Sequence, residues 1–253
     1  MKVLIIPDVH LKPWMFGDAE RIFLEKKADR AICLGDLLDD WGCEYDDQLY
    51  WDTMDAAVDF ATRYPGTLWC HGNHDLAYVW NTWVSGTSSD PLARQAAGNG
   101  LKDLFSAIPD GNLAYVHRID NVLFSHGGIS RRFVKNRVDE SLEKDVDEVI
   151  AKINGLKLED MWGDDSPLWL RPQREFTRYP IEMYREDMLQ VVGHSPMKEI
   201  TRENNLLSCD VFSLDWERQP LGTQEFCLLD TVTWEWEGVG DRNAKQKSLL
   251  FDT

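Results

Sequence analysis

Val3-Leu4-Ile5-Ile6-Pro7-Asp8-Val9-His10 carries an apolar run straight into an acid and an imidazole. A short, continuous apolar run of this kind reads as a buried strand, here over residues 3–9. The form then recurs. Ala31–Leu34 leads into Gly35-Asp36-Leu37-Leu38-Asp39, and Thr67–Cys70 leads into His71-Gly72-Asn73-His74-Asp75. Between the second and third runs, Leu49, Met54, Ala57, Val58 and Ala61 recur at helical spacing. They follow the N-terminal signal Asp46-Asp47 and stop at Tyr64-Pro65-Gly66, so a helix returns the chain for a parallel strand. A βαβαβ beginning follows. In an open α/β sheet the carboxyl ends of parallel strands share one edge, and ligands bind there. Three successive strand ends therefore deliver carboxylate, imidazole and carboxamide groups to one rim.

Working outward, two later runs have the same form: Val122–Ser125 enters His126-Gly127-Gly128, and Gln190–Val192 enters Gly193-His194-Ser195-Pro196. A helix is expected near Pro91–Ile108 and two strands at Leu113–His117 and Val122–Phe124, around a turn at Asp120-Asn121. Leu142, Val146, Val149, Ile150 and Ile153 form a helical stripe within residues 139–153. Strand-like runs at Leu189–Val192, Leu206–Ser208, Phe226–Leu229 and Thr233–Trp236 suggest a mostly β second half that faces the first. No linker-like stretch divides the halves, so residues 1–253 are expected to form one domain. The segment Asp241–Thr253 reads as a polar tail carrying a small apolar patch, Leu249–Phe251.

Charge limits the partners. With 27 Lys+Arg against 44 Asp+Glu the formal net charge is −17, which repels duplex nucleic acid and acidic membrane surfaces and favours cations. The apolar N-terminal run is too short for a secretory segment, and no stretch approaches ~18 uninterrupted apolar residues. A soluble, cytoplasmic protein is expected. The five cysteines are odd in number and never spaced C-x-x-C, which suits reduced core thiols and argues against a zinc ribbon or disulfide scaffold.

Asp, Asn and His donors without Cys suit a pair of borderline-to-hard divalent ions, with one carboxylate shared between them. Taken in order, the motifs Asp8-x-His10, Gly35-Asp36-x-x-Asp39, Gly72-Asn73-His74-Asp75, His126 and Gly193-His194 resemble those of the calcineurin-like metallophosphoesterase superfamily, from Asp8 to Pro196. The resemblance implies an α/β fold, a four-layer αββα sandwich of two mixed β-sheets flanked by helices. It also implies a hydrolase with two divalent metal ions, manganese first and iron or zinc as alternatives. It places Asp8, His10 and Asp36 on one ion, and Asp36, Asn73, His126 and His194 on the other. His74 becomes the general acid, Asp39 the residue that orients it, and a metal-bridging hydroxide the attacking group on phosphorus.

Within the superfamily, Phe124-Ser125-His126-Gly127-Gly128-Ile129-Ser130 is similar to the Ser/Thr phosphoprotein phosphatase branch, and Gly193-His194-Ser195-Pro196 to its bacterial and diadenosine-tetraphosphatase-like relatives. Pro167-Leu168-Trp169-Leu170-Arg171-Pro172 is similar to a Leu-Trp-x-Arg region there, which makes Arg171 the expected phosphate clamp, with Arg131, Arg132, Arg174 and Arg178 as alternatives. The chain departs from that branch after Asp39: Asp40-Trp41 stands where an arginine is expected. Trp14, Trp41, Trp80, Trp83 and Trp169 fall in or near rim loops, where an indole can stack on a ring. His71 and His117 are read as structural or surface residues. The function expected is hydrolysis of phosphomonoesters, phosphoproteins or small phosphoesters. The alternatives are a nucleotide or dinucleoside polyphosphate hydrolase and a non-catalytic metal-binding scaffold, the last disfavoured because no ligand position is lost.

Overall fold

The computed structural model describes residues 1–240, so the expected tail Asp241–Thr253 and its apolar patch lie outside the described residues. The chain runs β1 (Lys2–Ile6), α1 (Trp14–Lys26), β2 (Arg30–Cys33), α2 (Asp47–Arg63), β3 (Leu68–Cys70), α3 (Asn73–Val79), α4 (Pro91–Ala107) and β4 (Leu113–Ala114). It continues through β5 (Val116–Ile119), β6 (Val122–Ser125), α5 (Arg131–Arg137), α6 (Val146–Asn154), α7 (Leu158–Met161) and β7 (Leu189–Val192). The last strands are β8 (Thr201–Glu203), β9 (Leu206–Ser208), β10 (Phe226–Asp230) and β11 (Trp236–Val239).

The first sheet has the order β11-β10-β1-β2-β3-β4, and the second the order β5-β6-β7-β9-β8. In the first, β1 to β4 are parallel, β10 runs antiparallel to β1 and β11 antiparallel to β10; in the second, β6, β7 and β9 are parallel and β5 and β8 antiparallel. Both sheets are therefore mixed. The two-residue alternation of a strand sorts the second sheet into its faces. Val122 and Phe124 join the core shared with β1 and β2, whereas Leu123 and Val116 pack with Phe133, Val134, Val149 and Ile153 of α5 and α6. Helices α1, α2 and α4 cover the first sheet, contributing Phe16, Phe60 and Leu101. The order is helices, sheet, sheet, helices.

Local chemistry explains the ends of these elements. Asp46 caps α2 by accepting from Leu49 N, and Asp90 caps α4 by accepting from Leu92 N and Ala93 N, with Pro91 in the first turn.

Three expectations are corrected. Helix α6 starts at Val146, not near Asp139, because the Asp139 carboxylate accepts from Lys144 N and Asp145 caps the helix at Asp147 N. Leu142, at φ 60°, belongs to the turn before it. The last strand is Trp236–Val239 and not Thr233–Trp236, since Asp230 accepts from Val232 N and Thr233 N and folds that segment into a turn. Finally, β10 and β11 extend the first sheet, with Lys2 opposite Asp230, and do not join the second.

Candidate metal centre

The parallel strands of both sheets point their carboxyl ends at one cleft. From the first sheet, β1 delivers Asp8 and His10, β2 delivers Asp36 and Asp39, and β3 runs into Asn73 and His74 at the start of α3. From the second, β6 delivers His126 and β7 delivers His194. His10, Asp36, Asp39 and His194 all have positive φ, between 44° and 64°. Left-handed backbone at non-glycine residues costs about 1–3 kcal/mol each and persists where the surroundings over-determine it. Two glycines make the close approach possible. A Cβ on Gly193 would fall 1.9 Å from Asp8 Oδ1, and one on Gly72 would fall 2.1 Å from Asp36 N.

Two groups of donors converge on Asp36: ligand atoms of Asp8, His10 and Asp36 lie within 4.8 Å of one another, and so do those of Asp36, His126 and His194. Asn73 Oδ1 lies 2.9 Å from His126 Nε2, which adds the carboxamide to the second group. Each imidazole is held by its other nitrogen. His10 Nδ1 donates to Asp39 O at 2.8 Å, His126 Nδ1 to Leu34 O at 2.9 Å, and His194 Nε2 to Trp169 O at 3.2 Å. A carbonyl only accepts, so each bond places a proton on that nitrogen, and in the neutral imidazole the opposite nitrogen is the one left with a lone pair for a metal ion.

The buried carboxylates fit cations. Asp8 is fully buried and its Oδ1 has no hydrogen-bond partner among the described residues, while Oδ2 accepts from His194 N at 2.8 Å. Burial, with Asp210 nearby, pushes the Asp8 carboxyl well up. Burial also works against the Asp36 carboxylate, but His126, His74 and His10 around it outweigh that and hold it well below the usual range. Burial and the neighbouring His126 and Arg171 lower His194. A neutral imidazole beside a lone-pair-bearing carboxylate is a donor set for a divalent ion.

Beside this set, His74 donates from Nδ1 to Asp39 Oδ2 at 2.8 Å, and its backbone N bonds Asp36 Oδ1. Burial lowers His74, but Asp36 and the Asp39 bond outweigh it and raise the imidazole to about 9. The shift favours the protonated imidazole, the form a proton donor needs. Arg171 is the one lysine or arginine among the described residues that lines the cleft, a space of about 320 Å³. Its guanidinium is braced by His194 O at 2.6 Å and lies over the Phe176 ring.

The profile of the calcineurin-like phosphoesterase family matches residues 1–220. The chain belongs to that family. It is a metal-dependent phosphoester hydrolase whose family carries a dinuclear metal centre. Solved structures of similar course include a hypothetical protein from Pyrococcus horikoshii OT3, at 10% identity and TM-score 0.48, covering 99% of this chain and 93% of that one. An archaeal phosphodiesterase has 12% identity and TM-score 0.40, with 94% and 99% covered. The phosphoesterase Yfce from E. coli has 11% identity and TM-score 0.41, with 94% and 98% covered. No curated protein matches the sequence.

Other residues of this calcineurin-like phosphoesterase are sorted by the structure. Of the rim tryptophans, Trp41 and Trp169 line the cleft, whereas Trp14 packs on Phe212, Trp80 on Trp162, and Trp83 under Arg94. Arg132 and Arg174 pair with Asp165 and Glu203, and neither they nor Arg131 and Arg178 line the cleft. Asp75 is buried and accepts from Leu37 N and Leu38 N, bracing the Asp36 loop. Asp40 pairs with Lys12, whose ammonium also donates to His10 O. The sequence reading missed Lys12, Tyr50, Tyr78 and Asp210. Asp210 was accessible by the strand-end pattern, since it follows β9 as His194 follows β7, and it lines the cleft. Tyr50 and Tyr78 sit in helices and carry no such signal.

No helix among the described residues is long and apolar enough to cross a membrane.

Proposed function

We propose that the protein hydrolyses phosphomonoesters, phosphopeptides among them, in the manner of the phosphoprotein phosphatase and diadenosine-tetraphosphatase-like branch. The observation that carries the reading is the convergence of six donor side chains, the His74–Asp39 pair and Arg171 on one cleft. Asp8, His10 and Asp36 would hold one divalent ion, and Asp36, Asn73, His126 and His194 the other, with manganese the first candidate. Bound there, the ions supply an acidified water and positive charge for the phosphoryl oxygens. Arg171 grips two of those oxygens. His74 gives its Nε2 proton to the departing oxygen as the ester bond breaks, while Asp39 keeps the Nδ1 proton in place. The cleft, about 320 Å³, stands at the low end of the roughly 300–1,000 Å³ typical of small-ligand sites. That size suits a phosphoryl group with a compact leaving group better than a dinucleoside polyphosphate.

The test joins metal analysis to a phosphate-release screen over phosphopeptides, mononucleotides and dinucleoside polyphosphates. Two ions per chain and fastest turnover of monoesters are expected. Preferential release from dinucleoside polyphosphates would overturn the substrate class, and a protein that binds no divalent ion would overturn the site.

A further inference from the structure

Asp39 uses one oxygen on His74 and the other on two phenols. Its Oδ1 accepts from Tyr50 Oη at 2.6 Å and from Tyr78 Oη at 2.5 Å, and the two hydroxyls lie 3.4 Å apart. All three residues are buried. We infer that Tyr50 and Tyr78 are positioning residues for the proton donor, acting on His74 through the Asp39 carboxylate. The inference rests on the reading of His74 as the acid.

Three elements meet at this carboxylate. Asp39 sits in the loop after β2 at φ 64°, Tyr50 comes from α2, and Tyr78 from α3. His74 and Tyr78 are four residues apart on α3 and so share a face. That helix therefore grips Asp39 twice, once at each oxygen, and α2 supplies the third point. With three donors on two oxygens the carboxylate cannot turn about its own axis without breaking a bond. Its plane, and with it the direction of the His74 ring, is set by the packing of α2 and α3. Burial and the Asp39 charge both raise the phenols above their ordinary value. They stay protonated as donors, and no proton leaves them.

Tyr78 also reaches the wall beside the acid. Its hydroxyl accepts from Ser88 N at 2.9 Å, and Arg94 lies between the rings of Tyr78 and Trp83, 5.1 and 4.5 Å from their centres. The segment so fastened includes Ser85 and Gly86, which line the cleft, and a Cβ on Gly86 would stand 3.5 Å from His74 Cε1. One hydroxyl thus links the wall and the orienting carboxylate.

A phenol that only filled a polar vacancy in the core would affect stability, and would affect all substrates alike. A positioning phenol acts on the step that needs a proton. The experiment uses the metal-loaded full chain and its Tyr50→Phe and Tyr78→Phe variants, with kcat and KM measured on p-nitrophenyl phosphate and on an alkyl phosphate. Each variant should lose roughly 10-fold in kcat on the alkyl ester, as is common when a group that holds another side chain in place is removed, with KM and metal content unchanged. Turnover of the nitrophenyl ester, whose leaving group departs without a proton, should hold. In an Asp39→Asn background the same substitutions should have little further effect, because both act along one path. His74→Asn is measured alongside. If it shows no leaving-group dependence, the acid assignment fails and the inference with it. If it does, but the phenylalanine variants slow both esters equally or act fully without Asp39, the tyrosine inference alone is overturned. Should Tyr78→Phe not fold, Tyr50→Phe decides the same question.

Discussion

Asp36 is common to both groups of ligand atoms, and three imidazoles surround it. Asp36→Asn keeps the shape but removes the charge that the shared position needs. Metal content, read by elemental analysis, and turnover should fall together. Two ions per chain with normal turnover would show that Asp36 does not bridge. Arg171 poses a different question, because its guanidinium is tied to His194 O as well as facing the cleft. Arg171→Ala should cost about 2–4 kcal/mol in kcat/KM, and Arg171→Lys should recover only part, since one ammonium cannot reproduce the bidentate fork. Metal content separates the roles: a clamp leaves it intact, whereas a mere brace for His194 lowers it.

At the scale of elements, the site depends on how closely the end of β7 meets the end of β1. Gly193 permits this: a methyl there would collide with Asp8 Oδ1. Gly193→Ala should part the two sheets at the cleft, lowering stability by about 1–3 kcal/mol and reducing metal content in the same preparation. An alanine variant with full metal occupancy would show that the approach is looser than the structure has it. These strand ends were also what made the site legible in the sequence. Asp8, His10, Asp36, Asn73, His126 and His194 each follow an apolar run, and periodicity two or continuous burial marks such runs without knowledge of the partner strands. The start of α6 and the place of β11 were not legible, because both were decided by side-chain bonds from Asp139, Asp145 and Asp230 that compete with the pattern. Which sheet β10 joins is a long-range choice between two apolar faces, and a local pattern holds no information about it. The same holds for Tyr50 and Tyr78: each lies on a buried helical face, where only the tertiary fold shows that its hydroxyl meets Asp39.

Across the whole molecule the two sheets are tied by polar contacts as well as by their shared core. Besides His126 Nδ1 to Leu34 O, His117 of β5 reaches from the second sheet to Trp69 O of β3 in the first, at 2.9 Å. His117 is buried, and burial lowers its pKa below the ordinary 6.5 despite the opposing bond to Trp69. The direction of the linkage follows. An unfolded chain takes up a proton at this histidine as pH falls through 6.5, while the folded chain takes it up only at lower pH. Between those values the unfolded state holds more protons, so stability declines as the pH is lowered. It is fully present above 6.5 and is lost progressively below. The net charge of −17 contributes little over this interval, because most carboxylates titrate at lower pH. The measurement is Tm against pH from about 7.5 to 5.5, in chelator, so that metal release at the cleft does not enter. His117→Gln keeps a donor for Trp69 O and removes the titration. Its Tm should decline less than that of the parent over the interval, whatever its starting value. Equal slopes in the two proteins would mean that His117 is protonated in the folded chain as readily as in the unfolded one, and that the tie between the sheets does not depend on its neutrality.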